Sequence, residues 1–177
     1  MISYDDIWGL AENNYGLITA EQAREMGVSN ARLVVMAHRG ALQRIGHGVY
    51  QVRHHVPGKH DGYALGVASV GKDAFLRSAS VLGLLDLVPT NLSVLYVGSA
   101  RRVRRRLDTG IRLKDRIPPV TSNYFGIRSE DVWQALHSAK AEGALDWDKL
   151  VEAADAACEK GYLTELQCAE FKKEVGA

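Results

Sequence analysis

Cysteine is scarce in this chain. The two in 177 residues, Cys158 and Cys168, lie ten apart in segments that read as helix. That spacing fits neither a zinc site nor a disulfide framework, so reduced, buried thiols are expected. Long apolar runs are missing as well. A membrane-spanning helix needs roughly 18 apolar residues, and Asp86 interrupts the longest candidate, VLGLLDLV. The opening MISYDDIWGL is acidic and lacks the basic-then-apolar order of a secretory signal. A cytoplasmic protein with no membrane partner is expected. No G-x-S-x-G, H-E-x-x-H or Walker sequence occurs, and Gly46-His47-Gly48 lacks the third glycine of a dinucleotide fingerprint. No nucleophile stands with a base. Neither an enzyme nor a cofactor is expected.

Net charge is also small, +1, but it is unevenly spread. Residues 1–128 hold 17 Lys and Arg against 10 Asp and Glu, whereas residues 129–177 hold 5 against 11. Five of the six histidines, His38, His47, His54, His55 and His60, fall in the basic part. A basic body with an acidic end suggests a polyanion partner for one and a different task for the other. The length suits one large domain or two small ones, with a core large enough to need no staple.

The first sixty residues carry the clearest pattern. Ser3 can cap a helix with Asp5 and Asp6 in its first turn and Ile7, Leu10 and Ala11 on one face. Asn13-Asn14-Tyr15-Gly16 ends it. Thr19-x-x-Gln22 is a capping-box pattern for a short second helix with Ala20, Ala23 and Met26 inward, and Gly27 supplies a turn. Ser29 caps a third helix through Arg39. Its inward side is read as Leu33, Val34, Met36, Ala37 and Gly40, and its outer side as Ala31, Arg32, Val35, His38 and Arg39. A small residue at a helix crossing and a glycine at the turn make this a helix-turn-helix pattern, in which Gln22 is the one polar misfit. Leu42–Ile45 and Val49–Val52 then flank Gly46-His47-Gly48 as a small hairpin. A hairpin straight after a recognition helix reads as the wing of a winged helix-turn-helix, with Arg44 and His47 near its tip and Leu42, Ile45, Val49 and Tyr50 anchoring it. A hairpin that merely closes a small α+β core is the alternative.

The stretch LITAEQAREMGVSNARLVVMAHRGALQRIGHGVYQV resembles the N-terminal winged domain of AbiEi-type antitoxins. The resemblance lies in the helix-turn-helix followed by a wing with Gly40, Leu42, Arg44, Gly48, Val49 and Tyr50. It implies a repressor that binds repeats in its own promoter, in a type IV toxin–antitoxin pair linked to phage defence. The helix, strand and basic run in SASVLGLLDLVPTNLSVLYV and beyond are similar to the middle of such proteins. In that family the C-terminal domain serves toxin neutralisation.

Further along, HHVPGKHDG reads as a loop. Tyr63–Val70 and Ala74–Leu85 read as helices, with Pro89 after the second. Leu92–Val97 is a buried strand candidate, followed by strands at Gly110–Leu113 and Tyr124–Ile127. Ser129 with Glu130 and Asp131 is expected to open a helix carrying Trp133, Leu136 and His137. Asp146 starts another, with Leu150, Val151, Ala154 and Ala157 apolar, and Thr164-x-x-Gln167 caps the last, to about Glu174.

The densest charge run, Arg101 to Arg116, holds eight basic residues against Asp108 and Asp115. It reads as a second phosphate-contacting surface, as a dock for an acidic partner, or as a solvated strand pair and turn. Gly98-Ser99 with Asp108 faintly suggests a nucleotidyltransferase, but the second carboxylate two residues on is missing, because Gly110 stands there. The histidines near the wing have no ligand spacing, so no metal is expected. Tyr124, Phe125, Trp8, Trp133 and Trp147 read as packing residues more than as contacts.

The expected fold class is α+β: a winged helix-turn-helix over residues 1–55, then a small mixed α/β domain over 61–177 with a helical, acidic end. The expected DNA-binding residues are Ser29, Asn30, Arg32, Val35 and Arg39 on the recognition helix, and Arg44 and His47 on the wing. Arg101, Arg102, Arg104, Arg105 and Arg106 are expected to hold phosphates. The expected partners are double-stranded DNA, as promoter repeats, and a nucleotidyltransferase-like toxin, the latter implied by the family. The protein would act as a monomer or as a dimer formed on DNA. A winged protein-interaction module without DNA, and a plain regulator without a toxin, remain as alternatives.

Overall fold

A computed structural model describes residues 4–89 and 93–176. The chain divides into two compact units, Met1–Lys72 and Asp73–Ala177. In the first, α1 (Tyr4–Glu12), β1 (Leu17–Thr19), α2 (Ala20–Glu25), α3 (Asn30–His38), β2 (Leu42–Gly46), β3 (Val49–Val52) and α4 (Asp61–Val70) follow one another. The strands form an antiparallel sheet in the order β1-β3-β2. One apolar cluster joins the first three helices and the sheet: Ile7 and Ala11 from α1, Ile18 from β1, Ala23 from α2, Val28, Leu33 from α3, and Leu42, Tyr50 and Val52 from the hairpin. Each fully buried Leu or Ile contributes about 1.5–3 kcal/mol. The hairpin is therefore part of the core, with Val49 beside the turn fully buried and Arg44 and His47 left exposed.

This is the expected winged architecture, with three differences. The hairpin is a three-stranded sheet, because Leu17-Ile18-Thr19 pairs with β3 in the register Ile18↔Tyr50; three residues are too few to show a strand period in sequence. Val34 is 53% exposed and not inward-facing. A helix turns about 100° per residue, and that step carries Val34 past the edge of the arc centred on Leu33. The first unit also runs on through α4, which begins at Asp61 and packs on β1. The His55 imidazole and the Asp61 carboxylate are 2.6 Å apart and tie the connecting loop to that helix. The division after Lys72 thus lies beyond the 56–60 loop at which the domains were expected to part. Ser3, the expected first cap, lies outside the described residues.

The second unit contains β4 (Ala74–Leu76), α5 (Ala79–Leu84), β5 (Leu95–Ser99), β6 (Ile111–Lys114), the hairpin β7 (Asn123–Tyr124) and β8 (Ile127–Arg128), and then α6 (Val132–Glu142), α7 (Trp147–Glu159) and α8 (Glu165–Glu174). Its sheet runs β4-β5-β6, antiparallel then parallel. The Asp146 cap and the reciprocal Thr164–Gln167 cap form as expected.

Several expectations fail here. Ala74–Leu85 is a strand and a short helix, because Ser78 at φ +55° breaks the chain between them and β4 pairs with β5. The strand expected at Tyr124–Ile127 is a hairpin turning at Phe125-Gly126. Of the strand expected at Leu92–Val97, Leu92 lies outside the described residues and β5 begins at Leu95. Asp131, not Ser129, caps α6 through Gln134 N–H at 2.8 Å. Phe125 and Trp147 are exposed, at 55% and 54%.

Glu130 is occupied elsewhere. It is 4% exposed, accepts Ser78 N–H at 2.9 Å and the Ser138 hydroxyl at 3.0 Å, and lies 3.4 Å from Arg77 Nε. Arg77, 3% exposed, also pairs with Glu142. Burial pushes the Glu130 carboxyl above its ordinary range against the opposing pull of these partners. The group fastens β4 to α6 and floors a cleft of about 410 Å³ that is walled by Pro118, Thr121 and Gln134.

Candidate nucleic-acid interface

The helix-turn-helix begins with the Thr19–Gln22 cap. Thr19 Oγ1 accepts the Gln22 N–H at 3.1 Å, and Gln22 Oε1 accepts the Thr19 N–H at 2.9 Å. Gln22 is thus no misfit but half of the box that starts α2. Ala23, fully buried, lets α2 and α3 approach, and Gly27 at φ +82° makes the turn between them. Ser29 Oγ accepts the Arg32 N–H at 3.2 Å and fixes the start of α3.

With Leu33 buried and Met36 and Ala37 packed beside it, the opposite face of α3 is open. Ala31, Val34, Val35 and His38 make up that face, and all four are exposed. Asn30 at the start and Arg39 at the C-cap are exposed too, whereas Arg32 is half-buried at the face's margin. Of the expected recognition-helix residues only Val35 lies on that face; Ser29, Asn30 and Arg39 are exposed at the helix ends, and Arg32 is recessed at the margin.

The wing rises beside this helix. Its strands pair Leu42↔Val52, Gln43↔Gln51 and Arg44↔Tyr50, and then shift by one residue before Gly46↔Val49. The extra residue, Ile45, makes a bulge, which strengthens the local twist and re-aims the tip. Arg44 is exposed, and its Nε donates to Gly46 O at 3.4 Å, so the side chain folds along the bulge. His47 is exposed at the turn. Ala20 N–H donates to Gly48 O at 2.8 Å, which docks the wing's turn on the start of α2.

One cation went unread in the sequence. Gly40, at φ +78°, follows α3, and a Cβ there would stand 2.8 Å from Nη1 of Arg53. Arg53 thus lies under the end of α3, placed by pairing of its N–H with Ala41 O at 3.3 Å. A residue just past the second wing strand carries no sequence mark of that position. Across residues 29–60 the charged side chains are Arg32, Arg39, Arg44, Arg53 and Lys59, with no carboxylate. The acids of this unit lie on other helices: Asp5, Asp6 and Glu12 on α1, Glu21 and Glu25 on α2, and Asp61 on α4. Lys72 pairs with Glu25 at 2.9 Å and with Glu21 at 3.5 Å.

In the second unit, Arg101, Arg102, Arg104, Arg105 and Arg106 are all exposed, on the loop that crosses from β5 to its parallel neighbour β6. The loop is pinned from below. Asp115 Oδ2 accepts Val103 N–H at 2.8 Å, and Arg101 Nε meets Asp73 at 2.9 Å. Arg112 and Lys114 on β6 extend the cationic surface, alternating with half-buried Ile111 and Leu113.

The residues weighed for catalysis are held in backbone turns. Asp108 accepts Gly110 N–H at 2.8 Å, and Ser99, 4% exposed, accepts Arg101 N–H at 3.3 Å. Among the described residues no group of three His, Cys, Asp or Glu could hold a metal ion, and no helix is long and apolar enough to cross a membrane. Both cysteines are free thiols, Cys168 buried and Cys158 half-buried.

Residues 10–53, about a quarter of the chain, match a family described as "Transcriptional regulator, AbiEi antitoxin". The match covers the end of α1, the helix-turn-helix and the whole wing. Among curated proteins no relative matches.

Proposed function

With an AbiEi-type regulator domain at residues 10–53, we propose that the chain binds duplex DNA in its own promoter and represses its operon as the antitoxin of a type IV pair. The observation that carries this reading is the open face of α3 beside the bulged wing, bordered by cations in a segment without carboxylates. In a helix-turn-helix the N-terminal part of the second helix meets base edges. Ser29, Asn30, Arg32 and Val35 would stand there, with Arg39 following at the groove's edge. Arg44 and His47 reach backbone or minor groove from the wing. Helix N-terminal N–H groups suit a phosphate, and the Ser29 cap leaves that end of α3 exposed.

The arginines from Arg101 to Arg106 add sequence-independent attraction, since phosphates supply affinity and base edges supply choice. The acidic helical end is the part that meets a nucleotidyltransferase-like toxin. Its exposed Trp147, Tyr162 and Leu166 support a partner-binding role.

A reporter driven by the chain's own upstream region tests repression. Wild type lowers its output and Arg39→Ala restores it. Output unchanged by wild type would contradict autoregulation. Coexpression with the neighbouring gene's product tests the antitoxin half: rescue of growth supports it, and a harmless neighbour leaves a regulator without a toxin.

A further inference from the structure

Val34 and Val35 retain 53% and 45% of their accessible surface on a nine-residue helix whose other large apolar residues are packed. Ala31 lies one turn before both and His38 one turn after, so the four form a single exposed face. Isolated exposed apolar residues are ordinary, but a contiguous pair at the centre of such a face calls for a partner. Neither valine belongs to the apolar cluster that holds the first unit together. Both are β-branched and stiff at χ1, so docking them costs little side-chain freedom.

The partner's chemistry follows from the rim. Arg39, Arg44 and Arg53 are exposed cations from the neighbouring turn and wing, with exposed His47 beside them and no carboxylate between residues 29 and 60. The complement is anionic at its borders and apolar at its floor. The major groove has phosphates along its edges, and thymine presents a C5-methyl group on its floor.

We propose that Val34 and Val35, with Ala31 beside them, read thymine methyl groups in the major groove, so that the site this protein selects carries thymines under α3. This rests on the DNA-binding reading above. From Ala31 to His38 the helix rises about 10 Å, or about three base-pair steps, so the valine face spans only a few base pairs.

The test uses the full chain and a duplex recovered by selection from a random-sequence pool. That duplex is compared with a copy in which deoxyuridine replaces thymidine, which keeps pairing and phosphates and removes only the methyls. Wild type should bind the deoxyuridine copy about four-fold more weakly per methyl lost, or about fifteen-fold for two. The Val34→Ala, Val35→Ala variant should bind the thymidine duplex more weakly and lose little more on the copy. Its melting temperature should match wild type, because both positions are exposed.

Equal binding of both duplexes by wild type would overturn the proposal and assign the valine face to a protein partner. A deoxyuridine penalty that persists in full in the variant would overturn it too. If selection enriches no sequence at all, the DNA-binding reading itself fails and this inference falls with it. Enriched sequences lacking thymine under the footprint would leave that reading standing and remove only this one.

Discussion

Thr19 and Gln22 cap each other, each side chain accepting the other's backbone N–H, at 3.1 and 2.9 Å. That pair links two parts of the winged unit, since Thr19 also ends β1, the strand that pairs with β3 of the wing. Substituting Thr19 by Ala removes the cap, and such losses cost about 1 kcal/mol. The denaturation midpoint of Thr19→Ala should fall accordingly. An unchanged midpoint would mean that the cap is not a stability element of this unit.

Arg39 and Arg44 should behave differently on DNA. If Arg39 reads a base, Arg39→Ala costs roughly 1–3 kcal/mol on the specific site and less on other sequences. Arg44 on the bulged wing should contact phosphate, so Arg44→Ala weakens all duplexes alike and lowers the salt slope by about one. Salt titrations on two duplexes separate the roles. Identical behaviour of the two variants would refute the assignment.

The buried cluster in the second unit makes a stability prediction. Arg77 is 3% exposed between Glu130 and Glu142. Arg77→Met leaves two carboxylates without their shared cation, and breaking a buried pair in this way costs about 3 kcal/mol or more. Equilibrium unfolding in urea would show it. A loss within experimental error would mean that the hydrogen bonds from Ser78 and Ser138, without Arg77, suffice to hold Glu130.

Glu130 also predicts a pH dependence. Burial raises its carboxyl above the ordinary 4.5, so the folded chain holds a proton that the unfolded chain has released. The associated stability is fully present below that ordinary value and is lost as pH rises through the folded value. Unfolding midpoints should therefore fall in wild type as pH rises above that ordinary value, with the fall reduced in Glu130→Gln. Parallel pH profiles would contradict the direction given.

Most of the winged unit was legible in sequence because its signals are local. Caps at Thr19 and Ser29, the turn at Gly27 and the hairpin punctuated at Gly46-His47-Gly48 each depend on a few neighbouring residues. What escaped depends on distant partners. Leu17–Thr19 becomes a strand only because β3 is there to pair with it, and Arg53 stands beside the end of α3 only because the chain folds back under Gly40. Val34 stands at the edge of the inward arc, where neighbouring packing decides which side it takes. In the second unit Ala74–Leu85 reads as one apolar helix, yet pairing with β5 and the positive φ of Ser78 divide it. Glu130 reads as a helix-opening acid, and only the fold reveals Arg77 beside it.

The most direct test of the account is fluorescence anisotropy of the full chain on a duplex from its own promoter and on a scrambled duplex, across a salt series. The account predicts tighter binding to the promoter by about 10³ or more, the usual margin for a specific site, on top of a shared, steep salt dependence. Equal affinity for both duplexes at every salt concentration would contradict it, leaving the basic surfaces as general polyanion binders and α3 without a reading role.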